Sequence, residues 1–69
     1  MKDEKINVIY DGRKKSFSLS CVRTPMDVVE KLNLYIDDIL IVKDGRPIPC
    51  DEKLGSGDTI YLIHVASGG

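Results

Sequence analysis

The sequence predicts an α+β fold in which a mixed sheet of four to five strands cradles one helix. Three observations carry that expectation. Only one stretch, Thr24 to Asn33, combines helical apolar spacing with helical end signals. Ser16-Phe17-Ser18-Leu19-Ser20-Cys21 alternates, sending Phe17, Leu19 and Cys21 to one face and the serines to the other, as in a half-buried strand. Thr59-Ile60-Tyr61-Leu62-Ile63-His64-Val65 is apolar on both sides, which places it in the middle of a sheet.

In chain order, Ile6-Asn7-Val8-Ile9-Tyr10 is the first strand by β-propensity. Asp11-Gly12 signals a hairpin turn, and Arg13-Lys14 is expected to extend that loop. The alternating Ser16–Cys21 strand follows. Thr24 is a good N-cap, and Pro25 suits the first helical position, where its missing N–H costs nothing. Asp27 in the first turn favours the helix dipole. Met26, Val29 and Leu32, with Val28 close by, form the expected core face, and Asn33 is the expected stop. Ile39-Leu40-Ile41-Val42-Lys43 is a strand with apolar residues on both faces, and Asp44-Gly45 a turn. The two prolines of Arg46-Pro47-Ile48-Pro49 confine it to a sheet edge. Asp51 to Asp58 is a polar loop before the last strand. The helix must cover Phe17, Leu19, Ile41 and Ile60. Setting the last strand beside the first then gives the architecture called a β-grasp. Residues 1–65 are expected to form this globule and 66–69 a flexible diglycine tail, because no apolar residue follows Val65 to pin it.

With 69 residues, 42% hydrophobic and 30% charged, the chain has the composition of one small globular domain. A net charge of −1 with interspersed signs excludes the broad basic footprint of a nucleic-acid binder. The one basic cluster, Arg13-Lys14-Lys15, is expected in a solvated loop. No apolar run approaches the roughly 18 residues of a membrane span. No signal-peptide core follows Met1-Lys2-Asp3-Glu4-Lys5. Cys21 and Cys50 are read as free thiols, which fits a cytoplasmic protein, and with a single His64 they make no structural zinc site. No metal and no cofactor is expected. An enzyme reading would need His64 to act as base for Cys21 or Ser67. A histidine at the rim of a strand is the favoured alternative. Asp37, Asp38, Asp51, Glu52 and Asp58 fall in loops without a partner base and read as solvating charge.

The chemistry-bearing stretch is the last one. The apolar strand runs into Ala66-Ser67-Gly68-Gly69. Without Cβ atoms, a Gly-Gly end fits a channel too narrow for side chains, and its carboxylate is open to activation as an acyl-phosphate, acyl-adenylate or acyl-thioester. On the globule, alternation sends Ile39, Ile41, Ile60 and Leu62 toward the helix. It leaves Leu40, Val42, Tyr61 and Ile63 on a face with no second helix to cover them. Such a patch is expected to be a partner-binding surface, unless the long loops fold over it.

Val42-Lys43-Asp44-Gly45-Arg46-Pro47-Ile48-Pro49 resembles the strand–turn–strand text V-x-N-G-x-x-V-P of the ThiS/MoaD sulfur carrier proteins. These carriers are relatives of the ubiquitin-like small archaeal modifier proteins. Leu54-Gly55-Ser56-Gly57-Asp58-Thr59-Ile60 is similar to the family's L-x-x-G-D-x-V, and Val65-Ala66-Ser67-Gly68-Gly69 to its end. The resemblance covers residues 42–69; the N-terminal half agrees in element order only. Asp44 departs from the usual Asn, and Ser67 departs from the Arg that precedes Gly-Gly in ubiquitin. The resemblance implies a ubiquitin-like β-grasp monomer that is not itself an enzyme. A MoeB/ThiF-like adenylyltransferase would use ATP to convert the Gly69 carboxylate to an acyl-adenylate. A sulfur donor would then give a thiocarboxylate for a sulfur-accepting synthase in thiamin, molybdopterin or tRNA thiolation. The alternatives are a modifier joined to lysines and a non-covalent β-grasp binding module with an idle tail.

Overall fold

The computed structural model describes residues 4–65. Strand β1 (Lys5–Tyr10) and strand β2 (Arg13–Ser18) form a hairpin, followed by helix α1 (Pro25–Lys31). A short 3-10 turn (Ile36–Asp38) leads into β3 (Ile39–Lys43), β4 (Arg46–Pro47) and β5 (Thr59–His64). The sheet order is β2-β1-β5-β3-β4. β5 is central, parallel to β1 and antiparallel to β3, as its two apolar faces require. β4 is the edge strand that its proline dictates. The fold is a five-strand mixed sheet with one helix, a β-grasp.

Both tight turns are built alike. Asp11-Gly12 and Asp44-Gly45 have positive φ at both positions, 53° and 73°, 55° and 77°. These are the dihedrals of a two-residue hairpin loop whose twist matches the strands. The first turn closes the hairpin on its own, pairing Tyr10 with Arg13. Arg13, Lys14 and Lys15 therefore lie on β2, not in an extended loop. At its other end β2 stops earlier than the alternation implies. The Ser18 carbonyl accepts from the N–H groups of Cys21 (2.9 Å) and Val22 (3.0 Å). That turn leaves Cys21 exposed and puts Val22 fully in the core, the place expected of Cys21. Phe17 and Leu19 pack half-buried against the core as expected.

The helix begins on a reciprocal cap. Thr24 Oγ1 accepts from Asp27 N (3.4 Å), and Asp27 Oδ2 accepts from Thr24 N (3.3 Å) and Arg23 N (2.9 Å). These bonds, the one to Arg23 foremost, hold the Asp27 carboxyl below its ordinary range. The helix ends at Asn33, whose φ is 58°. Asn33 N donates to Glu30 O (3.1 Å) and Leu34 N to Val29 O (3.0 Å), satisfying the orphan carbonyls of the last turn. Pro25, Val28 and Val29 are the buried residues of the helix, with Leu32 packed beside them, whereas Met26 is only half-buried. The two valines meet Ile6, Val8, Ile39, Ile41, Ile60 and Leu62 from the sheet, and Val22 and Leu54 close the ends.

Candidate functional site

The alternation of β3 and β5 divides their side chains as expected. Ile39, Ile41, Ile60 and Leu62 are buried under the helix, while Leu40, Tyr61 and Ile63 are 40%, 45% and 45% exposed on the other face. Val42 is half-buried. The register places Leu40 opposite Ile63 and Val42 opposite Tyr61. The Tyr61 row continues to Ile9 on β1 and, through Val42, to Pro47 on β4. One apolar row thus crosses four strands, with Ile63 and Leu40 beside it and Val65, 39% exposed, beyond. A polar pair bounds it on β1 and β2, where Ser16 Oγ donates to Asn7 Oδ1 at 3.2 Å.

The long segment between β4 and β5 does not fold over this patch. Its bonds run to the helix side, to β1 and to β3. Met26 N donates to Cys50 O (3.0 Å), Leu54 N to Arg23 O (2.8 Å) and Gly57 N to Lys5 O (2.8 Å). Asp58 anchors its end. Asp58 Oδ2 accepts from Gly55 N at 2.7 Å and pairs with Lys43 Nζ at 3.2 Å. The backbone bond reaches back three residues, so Asp58 is a loop clamp and not the free solvating charge expected of it. That bond is the main cause that holds the Asp58 carboxyl below its ordinary range, with Lys43 adding to it. The same contact raises the Lys43 ammonium.

β5 keeps its neighbours to its end. Val65 N, at the end of the described residues, donates to Asp38 O at 2.8 Å. Ser67, Gly68 and Gly69, the expected reactive tail, lie outside the described residues. His64 is exposed at the rim, its ring 6.3 Å from that of Tyr10. The two rings flank a hollow of about 460 Å³ with Asp11 and Tyr61. His64 and Cys21 lie at opposite ends of the sheet. Cys21 follows the end of β2 that pairs with Lys5, and His64 lies past Leu62, which pairs with Tyr10. The structure does not bring them together as base and nucleophile. Both cysteines are free thiols, Cys21 exposed and Cys50 half-buried. Among the described residues no cluster of His, Cys, Asp or Glu is arranged to hold a metal, and no helix is long and apolar enough to cross a membrane.

The fold is similar to that of solved ubiquitins. Against Caldiarchaeum subterraneum ubiquitin the TM-score is 0.69 at 20% identity, covering 99% of this chain and 100% of that one. Against a de novo design based on ubiquitin it is 0.70 at 21%, covering 96% and 93%. A computationally designed protein templated on human erythrocytic ubiquitin gives 0.69 at 21%, covering 96% of each chain. No protein-family model and no curated protein matches the sequence.

Proposed function

We propose that this ubiquitin-like β-grasp protein is a sulfur carrier. The Gly69 carboxylate attacks the α-phosphorus of ATP on a MoeB/ThiF-like adenylyltransferase, and pyrophosphate leaves. A sulfur donor displaces AMP from the acyl-adenylate, and the resulting thiocarboxylate serves a sulfur-accepting synthase in thiamin, molybdopterin or tRNA thiolation. The protein works in the cytoplasm as a monomer and is the substrate of these steps. One observation carries the reading. The central strand that presents Tyr61 and Ile63 to solvent is the strand whose sequence continues into Ala66-Ser67-Gly68-Gly69. A partner docked on that face has the tail within its reach. The resemblance over residues 42–69 supplies the chemistry.

The reading takes Gly69 as the residue with the free carboxylate, which the intact mass of the protein from its own cells checks. Incubation with ATP, a sulfur donor and the adenylyltransferase should then add about 16 Da, sulfur for oxygen. The likeness to an archaeal ubiquitin favours a second reading, in which the adenylate ends as an isopeptide bond to a lysine. Conjugates in which the C-terminal tryptic peptide of this chain, residues 54–69, is joined to a lysine distinguish it from sulfur transfer.

A further inference from the structure

The two edges of the sheet are finished differently. β4 is two residues long and contains Pro47, which has no N–H to offer. β2 is six residues long and begins Arg13-Lys14-Lys15, all exposed. The phase of the β1–β2 ladder decides which backbone groups of β2 are free. In a two-residue hairpin the flanking residues, here Tyr10 and Arg13, exchange hydrogen bonds, and so does every second pair after them. Val8 then bonds Lys15, and Ile6 bonds Phe17. The 2.8 Å bond from Leu19 N to Glu4 O continues the same phase. The N–H and C=O of Lys14 and of Ser16 therefore point outward. Ser18 has the same orientation, but its carbonyl already accepts from Cys21 and Val22.

Beside this open edge, on the helix side of the sheet, lies a hollow of about 280 Å³. Val8, Tyr10 and Leu32 form its apolar floor, Arg13 and Lys15 its wall, and Asp11 stands at the turn. Two copies of β2 pairing edge to edge would bring their three cations together, so the edge is guarded against the chain itself. A strand rich in carboxylates meets the opposite condition. We infer that the β2 edge is a docking site for an extended acidic segment of a partner protein. The segment adds to the sheet beyond β2, takes backbone hydrogen bonds from Lys14 and Ser16, and sets an aliphatic side chain in the hollow between β2 and the end of the helix. This surface is on a different edge from the patch of Leu40, Tyr61 and Ile63, and it does not depend on the chemistry of Gly69.

The probe is a capped peptide, Asp-Glu-Val-Asp-Val-Glu-Asp, titrated into the full chain by calorimetry and by amide NMR at low salt. Binding should weaken with added salt and should slow hydrogen exchange at Lys14 and Ser16. The double variant Arg13→Glu/Lys15→Glu, changed only at exposed positions, should bind more weakly by about tenfold at least, and unchanged affinity would overturn the proposal. The same peptide N-methylated at every amide keeps its charge but loses strand pairing, and it should not bind. Equal binding of the methylated peptide would overturn the proposal, since charge alone would then account for the affinity. Shifts centred on Leu40, Tyr61 and Ile63, or no binding at all, would overturn it equally.

Discussion

Asp58 shows what a single residue does here. One carboxylate oxygen closes the loop onto Gly55 N and ties it to Lys43 on β3. Both contacts favour the ionised form, so the folded pKa lies below the ordinary value of 3.8. Its contribution to stability is therefore present above pH 3.8 and is lost as pH falls through the depressed folded value. Asp58→Ala should lower stability at pH 7 by about 1 kcal/mol, a drop of about 5 °C in Tm. The variant should also lose less of its remaining stability than the parent between pH 7 and pH 2. Parallel acid-unfolding curves would count against this role. Gly45 is a second test at this scale. Its φ is 77° and an added Cβ would meet nothing within 4 Å, so Gly45→Ala isolates backbone strain. The expected cost is about 1 kcal/mol by urea denaturation.

Among the elements, β5 is the one on which core and surface meet. Ile60 is fully buried and Ile63 is 45% exposed, three residues apart on one strand. Ile60→Ala should cost about 3 kcal/mol, a large share of the stability of so small a domain, and Ile63→Ala well under about 1. Val42→Glu and Ile63→Glu should keep the fold and weaken docking to the adenylyltransferase, as measured by titration. Unchanged affinity would remove the patch from the account. The division of β3 and β5 into two faces was legible from period-two alternation alone. So were the helix cap at Thr24 and the stop at Asn33, because caps are local chemistry. The ends of β2 were not. Whether Asp11-Gly12 needs further loop residues is decided by the φ values of the turn, and the exit at Cys21 by two bonds to the Ser18 carbonyl. Alternation carries no mark of either. The basic cluster was noticed in sequence, but its place on an open sheet edge follows only from strand order and ladder phase. Much of the family-like text proves architectural: Leu54 is buried, Gly57 has a φ of 84°, and Asp58 is the loop clamp.

At the scale of the whole molecule, the globule is read as a handle and Gly69 as its reactive end. The two should separate cleanly under truncation. Removing Gly69 takes away no side chain and should leave the melting temperature unchanged. It withdraws the carboxylate by one residue, about 3.5 Å in an extended chain. A misplacement of about 1 Å can already cost on the order of 100-fold in rate. Gly68→Val should do similar damage through its Cβ in a narrow channel. The decisive measurement is the intact mass of the parent and of the Gly69-deleted chain, after incubation with ATP, a sulfur donor and a MoeB/ThiF-like enzyme. The account predicts a gain of about 16 Da on the parent and none on the deletion. No gain on the parent, or an equal gain on both, would contradict it.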